Sequence, residues 1–552
     1  MTVSTVHTAA VVGLGTAGTE LARRLSGAGI RVIGVEPDGE AVARALRAVG
    51  SGPVEVTSRV AAVAAADLVL EAVPEPEAAK RAVLTAIAGH RRADVPIVTT
   101  ALSTPVAALA DAAPGPLLAL RFARADRLDA AELARAPGAP DEALRRVVST
   151  LAAGGVTTHE VPDRPGSLAP GLLLGFLNQA AWMCYDGYVE PEVLETAVRL
   201  GCGWREGPLG VLAAIGHRTA TDILRGLQQR LGERYAPAPL LAGPPVAVSP
   251  RPEPVTDAVP EVRTVAVLGS GTMATGIAEV FLRAGHRTLL VARTEEKVAE
   301  ARAAVEFGLL RTGRATEEVT EALGRWSGHT EVAVVAQADL VVEAVVEDLA
   351  VKRRIFGELG ALCRPGTVLA TTTSALSVTA CATASGRPRD VLGLHFFNPA
   401  ATMDLVELVR TEHTGESALA AARAVLAAAG KVAVECEDRT GFVVNALLFP
   451  YLNDALTALE DPRVQPALLD TVMKSVAGQP LGPTRLLDMV GADVALEVQR
   501  RLHQDQDQGR GRPVPAPTDL LRRLVDRGFL GRKSAGRGVR VLLTEEARAG
   551  AT

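Results

Sequence analysis

Two copies of one α/β plan, each a doubly wound, Rossmann-type parallel sheet followed by an all-helical domain, are what this sequence predicts. Three observations carry the prediction. The first is internal repetition. AAVVGLGTAGTELARRLSGAGIRVIGVEP around Gly13 returns as VAVLGSGTMATGIAEVFLRAGHRTLLVAR around Gly269. ADLVLEAVPEPEAAK from Asp67 returns as ADLVVEAVVEDLAVK from Asp339, and VRLGCGWREGPLG from Val198 returns as MKSVAGQPLGPTR from Met473. The separations are 256, 272 and 275 residues, so one copy reads against the other position by position. The second observation is element order. Each copy opens with a short apolar strand, a glycine turn, an alanine-rich helix and a second strand, then alternates strand and helix, which places helices on both faces of a parallel sheet. The third is a change of period: Leu168 to Leu231 and Phe442 to Leu502 carry apolar residues at helical spacing with little β-branched alternation.

The resulting division is a first Rossmann domain over 7–162, a first helical domain over 163–234, a Pro-rich linker over 235–262, a second Rossmann domain over 263–437 and a second helical domain over 438–542. The linker, YAPAPLLAGPPVAVSPRPEPVTDAVPEV, holds eight prolines and is expected to be an extended spacer. Gln504 to Pro517 is polar and Gly/Pro-rich and is expected to be loose. The tail GFLGRKSAGRGVRVL is expected to form a turn and a short strand.

Composition narrows the function classes. A chain of 552 residues fits roughly three to five domains. The mild net charge of −5 gives no reason to expect nucleic acid or a basic membrane-binding face, and no run reaches the ~18–20 apolar residues that span a bilayer. Five cysteines without ligand spacing point to no metal site and to a reducing, cytoplasmic setting. No charged-then-apolar leader precedes the first strand.

The glycine turns are candidates for dinucleotide binding. Gly13, Gly15 and Gly18 follow a strand and open a helix, and Glu36 closes the next strand. Glycines let a pyrophosphate approach the backbone, the helix N-terminus supplies N–H groups, and the acid can bind ribose hydroxyls, so the first copy has the features of an NAD site. In the second copy Gly269 and Gly271 remain, followed by Thr272 and Met273, Ala274 replaces the third glycine, and Gly276 follows. Ala292–Arg293 stands where the first copy has Glu36–Pro37, so a 2′-phosphate would meet an arginine there rather than a carboxylate. That favours NADP, with NAD the alternative; an ordinary solvated arginine is the plainer reading.

A second constellation lies in GLHFFNPAATMDLVELVR. His395 ends an apolar strand, and Glu407 follows twelve residues later on an alternating run, so two neighbouring strands could bring them together. A lone histidine beside apolar residues is usually a satisfied core group. Ser374 in TTTSALS and Asn445 in TGFVVNALL, each polar within an apolar segment, suggest instead a shared pocket.

With GSGTMATGIA, VVEAVVEDLAVK, GQPLGPTRLLDMVG and GFLGRKSAGRG, these segments resemble in order those of the 3-hydroxyacyl-CoA dehydrogenases, over nearly all of Thr264 to Leu542. The resemblance implies that His395 is the general base and Glu407 its orienting group, that Ser374 and Asn445 hold the reacting oxygen, that Asn398 shapes the pocket, and that Glu347 and Lys352 line the nicotinamide ribose. It also implies that the charged stretch from Ala301 to Arg325 is a helical arm that contacts coenzyme A. The family usually has asparagine at Thr372, serine at Ala375 and an acid at Ala292. The expected reaction is interconversion of 3-hydroxyacyl-CoA and 3-ketoacyl-CoA, as in fatty acid metabolism. An acyl-carrier-protein thioester, or a dinucleotide-binding pseudoenzyme, is the alternative. In the first copy Arg121 replaces the histidine and Pro170 the asparagine, while Glu71, Glu75 and Lys80 remain. That copy is expected to be silent and structural, forming an intrachain pseudo-dimer, with a further homodimer open. Gly13, Gly15, Gly18 and Glu36 could still hold a dinucleotide.

Overall fold

The computed structural model describes residues 6–50, 52–246, 261–311, 315–507 and 513–549. Among them lie two eight-stranded sheets. The first holds β1 (Thr8–Val12), β2 (Arg31–Val35), β3 (Val54–Thr57), β4 (Leu68–Glu71), β5 (Ile97–Thr99), β6 (Leu117–Arg121), β7 (Ala130–Arg135) and β8 (Thr157–Glu160). The second holds β9 (Thr264–Leu268), β10 (Arg287–Val291), β11 (Trp326–His329), β12 (Leu340–Glu343), β13 (Val368–Thr371), β14 (Val391–Phe396), β15 (Leu405–Arg410) and β16 (Val432–Glu437). Both have the same order, β3-β2-β1-β4-β5-β6-β7-β8 and β11-β10-β9-β12-β13-β14-β15-β16. Strand order reverses beside the first strand, the point where doubly wound sheets open a crevice for ligand.

Six strands of each sheet run parallel, as expected, but the last two run the other way: β7 pairs antiparallel with β6, and β15 with β14. Eight residues join each of these pairs, too few for a parallel crossover, which needs a dozen or more. The central strands read as unbroken apolar runs because both faces are covered; all four residues of β12 are fully buried. The second copy adds the helices Glu295–Arg311 and Thr316–Gly324 where the first has only Gly39–Val49. This is the expected charged arm; its residues 312–314 lie outside the described ones.

Three expectations need correction. The linker is not extended at its start. Pro239–Ala242 forms a short helical turn packed on the Ala169–Tyr185 and His217–Leu231 helices, with Ala238 and Leu241 buried. Asn178 holds it, donating to Ala236 O at 2.9 Å and accepting from Ala238 N at 2.9 Å. Residues 247–260 of the linker lie outside the described ones. Likewise Gln504–Pro517 is not wholly loose. The helix Ala492–Asp507 covers its start, and its end is tied by Asn453, which donates to Ala516 O at 3.1 Å and accepts from Thr518 N at 2.9 Å. Residues 508–512 lie outside the described ones. Asn178 and Asn453 are repeat partners, so composition concealed a duplicated tie. The tail, finally, ends in a helix, Val539–Ala549, rather than a strand, because Asp488 accepts its first N–H at 3.1 Å.

The chain divides into two compact units that do not follow the repeat. One takes residues up to Tyr185, Pro208–Val246 and residues from Phe449 on; the other takes Asp186–Gly207 and residues up to Leu448. In the first unit the helix Pro466–Ser475, from the second copy, packs on β7, and Ser475 Oγ meets His159 Nε2 at 3.0 Å. In the second, the helix Pro191–Cys202, from the first copy, packs on β15 and β16. No helix among the described residues is long and apolar enough to cross a membrane.

Candidate active site

Antiparallel pairing of β14 and β15 sets His395 directly opposite Glu407. The imidazole Nδ1 lies 2.6 Å from Glu407 Oε2, with His395 4% exposed and Glu407 fully buried. A carboxylate can only accept, so Nδ1 carries the proton and Nε2 is left with its lone pair. The other carboxylate oxygen, Oε1, accepts from the backbone N–H groups of Val443 at 3.0 Å and Val444 at 2.8 Å. Those amides stand ready because the chain passes through positive φ at Gly441 (+75°) and Phe442 (+49°) before entering the helix Val444–Ala458. A non-glycine residue at positive φ persists only where its surroundings over-determine it. Phe442 is fully buried, and its ring lies 5.5 Å from the imidazole, with Phe397 4.8 Å away.

Asn445 follows the clamping amides on the same helix, and its Nδ2 donates to Ser374 O at 3.5 Å, so Ser374 and Asn445 are brought together. The Ser374 turn is held by Glu347, which accepts from Thr373 Oγ1 at 2.5 Å and Ser374 N at 2.9 Å. Below it Glu343 accepts from Lys352 Nζ at 2.7 and 2.9 Å, from Thr371 Oγ1 at 2.8 Å and from Val345 N at 2.8 Å. Lys352 is 1% exposed and also pairs with Glu347 at 3.4 Å, whereas Glu347 is 39% exposed. Of the two groups expected at the ribose, Glu347 therefore faces outward, and Lys352 is buried against the two carboxylates it pairs with. Asn398 is exposed on the loop after β14.

The dinucleotide turn has the backbone geometry a pyrophosphate requires. Gly269 adopts φ +126°, and a Cβ there would fall 2.4 Å from Ala344 O. Gly271 has open space where its side chain would project, and it caps the helix Thr272–Arg283, whose first residue, Thr272, is exposed while Met273 is half-buried. Ala274 is fully buried at the place of Gly18, where an added Cβ would fall 1.8 Å from Gly13 O, so the second copy's turn holds a methyl group for which the first copy's has no room. Ala292 is buried and Arg293 is exposed at the end of β10. These residues fit a nicotinamide dinucleotide.

The first copy repeats the frame but not the imidazole. Its glycine turn opens on a cleft of about 1060 Å³ lined by Gly13, Gly15, Glu36 and Glu75 among others. Glu36 there accepts from Leu14 N at 2.9 Å and Asp38 N at 3.0 Å. Lys80 and Glu71 repeat the buried pair at 3.1 Å. Arg121 faces Glu132 across the strands, yet its guanidinium turns to Ala101 O at 2.9 Å, Thr104 O at 3.2 Å, Arg164 O at 3.3 Å and Asp163 Oδ1 at 2.8 Å. Pro170 sits in the first turn of its helix, where a missing N–H costs nothing.

Sequence reasoning missed Glu132. Fully buried, it still accepts from Leu168 N at 3.0 Å and Ala169 N at 2.7 Å, as Glu407 does from its own pair of amides. Burial raises its carboxyl above the usual range, against the pull of those amides. The signal was present: AAELAR stands against LVELVR at the shared offset of 275. Asp163 and Asp438, which cap matching turns at Val106–Ala107 and Val378–Thr379, were missed as well.

A glycine turn at the switch point of a doubly wound sheet, with a carboxylate-held histidine on the same sheet, defines a nicotinamide-dependent dehydrogenase. Comparison with known proteins agrees. The 3-hydroxyacyl-CoA dehydrogenase NAD-binding domain matches residues 8–161 and 264–439, and the C-terminal domain of the same family matches 169–243 and 441–540. The chain belongs to the 3-hydroxyacyl-CoA dehydrogenase family, as a tandem duplication of both domains. It is 40% identical over 283 residues to 3-hydroxybutyryl-CoA dehydrogenase of Mycobacterium tuberculosis H37Rv, covering 50% of this chain and 97% of that protein. It is 36% identical over 292 residues to human mitochondrial hydroxyacyl-coenzyme A dehydrogenase, covering 50% and 89%. Among solved structures, FadB2 of M. tuberculosis matches at 38% identity and a TM-score of 0.48, covering 50% of this chain and 98% of that one.

Proposed function

We propose that the second copy interconverts 3-hydroxyacyl-CoA and 3-ketoacyl-CoA and that the first copy is a catalytically silent partner folded against it. The observation that carries the proposal is the 2.6 Å contact between His395 Nδ1 and Glu407 Oε2, which leaves Nε2 as an acceptor on the sheet that also carries the Gly269 turn. The nicotinamide, when bound, takes or supplies the hydride at the substrate's third carbon. His395 Nε2 removes the proton of the 3-hydroxyl, and in the reverse direction the imidazolium returns it. Such a positioned histidine is worth roughly 10²–10⁴ in rate. Glu407 fixes the tautomer and balances the imidazolium charge, and the Val443 and Val444 amides keep the carboxylate from rotating. Ser374 and Asn445 orient the oxygen at carbon 3. Thr272 and Met273 open the helix that faces the pyrophosphate, Glu347 faces the ribose, and Asn398 borders the pocket. Exposed Arg293 beside Ala292 supports NADP over NAD.

The first copy has no histidine at this place: a guanidinium cannot serve as a base at neutral pH, and Arg121 is already bonded to four acceptors. Reciprocal packing supports the intrachain pseudo-dimer: a helix of each copy lies on the last strands of the other copy's sheet. The cysteines' lack of ligand spacing supports a reducing cytoplasm. Turnover of acetoacetyl-CoA, lost in His395→Gln and retained in Arg121→Gln, is the expected result. Turnover that survives His395→Gln would overturn the assignment.

A further inference from the structure

The helix Pro191–Cys202 belongs to the copy without a histidine, yet it packs on the strand that carries Glu407. At Gly201 the contact leaves no room for a side chain. A Cβ at that position would meet Val444 Cγ2 at 2.8 Å, Leu405 Cδ2 at 2.9 Å and Val444 Cγ1 at 3.3 Å. Val444 supplies the shorter of the two amide bonds to Glu407, and Leu405 opens β15 two residues before it. Both are fully buried, so neither side chain can yield into solvent. The same first-copy segment grips the chain again upstream of the clamp. Tyr188 Oη donates to Glu437 O at 3.4 Å, and the Arg439 guanidinium lies over the Tyr188 ring at 4.3 Å. The turn from Glu437 to Val444 is therefore held at both ends by residues of the other copy.

The repeat offers a comparison on the silent side. At the shared offset of 275, Gly201 corresponds to Val476 and Val444 to Ala169. The pair is glycine and valine where the histidine is present, and valine and alanine where it is absent. The larger residue sits at the opposite position of the pair on that side, as expected if the two positions also pack together there.

We propose that Gly201 is a positioning residue for catalysis: through it the first copy fixes the Val443–Val444 amides that hold Glu407, and so sets the His395 imidazole. The silent copy is then a part of the active site's framework. This rests on the catalytic role assigned above to His395 and Glu407.

The test uses the full chain with Gly201→Ala, Gly201→Val and Gly201→Val/Val444→Ala. Three quantities are read: kcat and KM with acetoacetyl-CoA, the pH profile of kcat/KM, and the low-field proton resonance of His395 Nδ1–H, identified by its loss in His395→Gln. Gly201→Val should lower kcat about tenfold or more with the dinucleotide KM unchanged, shift the profile, and move or broaden the resonance. The double variant, which restores the lost volume, should recover kcat to within about threefold and restore the resonance. Should Gly201→Val not fold, Gly201→Ala gives the same readings on a smaller scale. A lowered melting temperature with kcat, pH profile and resonance all unmoved overturns the proposal, and so does a folded double variant without recovery. If the wild type shows no His395-dependent turnover, the catalytic assignment fails, and the resonance alone still decides whether Gly201 governs the imidazole contact.

Discussion

Replacing Glu407 by glutamine changes one oxygen to an amide nitrogen and keeps shape and volume. In the native protein Oε1 receives two backbone N–H groups and Oε2 receives the imidazole Nδ1–H. Glutamine has one carbonyl oxygen for these two places. Two clamping amides outweigh one imidazole donor, so the carbonyl should remain with Val443 and Val444 and the NH₂ should face His395. The ring must then accept at Nδ1, which puts its proton on Nε2, the atom that has to take the proton from the hydroxyl. The comparable replacement in the serine-protease triad costs roughly 10⁴ in kcat, about 5 kcal/mol. Because the reaction's equilibrium constant is fixed, kcat/KM must fall equally in both directions at a given pH. The assay follows nicotinamide absorbance with acetoacetyl-CoA in reduction and 3-hydroxybutyryl-CoA in oxidation, beside a melting curve. Both amide bonds survive, so the fold should persist. A folded Glu407→Gln enzyme within tenfold of wild type would refute the claim that this carboxylate sets the tautomer.

Three further outcomes are expected. Arg293→Ala should lower kcat/KM for NADPH roughly 10- to 100-fold, the range for a lost charge-assisted contact, and leave NADH nearly unchanged; a strong NADH preference unaffected by the change would remove Arg293 from cofactor choice. Adding Arg121→His to His395→Gln should restore no turnover, because Pro170 still stands where Asn445 orients substrate; steady-state rates above background would contradict this. Asp454, paired with Arg234, is raised by burial to about 6, with the arginine pulling it down. Its folded value lies above the unfolded one, so its stabilising contribution is complete below about pH 4 and is lost as pH rises through 6. Urea titrations of wild type and Asp454→Asn between pH 4 and 6 should differ in slope by up to about 1.4 kcal/mol per pH unit.

The repeat in the sequence determined most of the architecture. Two glycine turns, two alternating strand–helix runs and two helical stretches stand in the letters, because hydrophobic period and backbone-permissive residues are local properties. His395, Glu407, Ser374 and Asn445 were legible as polar residues stranded in apolar segments, and Arg121 and Pro170 as the different residues at two of those places. The reversal of the last two strands was legible only in loop length, and the folded start of the linker was hidden because proline content says nothing of the Asn178 side chain that binds it.

Tertiary structure decided what depends on residues far apart in the chain. Which amides hold Glu407, that Lys352 turns inward while Glu347 faces out, that Glu132 is buried on a matching pair of amides, and that a helix of the first copy packs on the strand carrying Glu407 all follow from packing. Local preference selects helix or strand, but the partner of a buried polar group is whichever donor the folded chain brings within about 3 Å, and that choice is made only when distant segments meet.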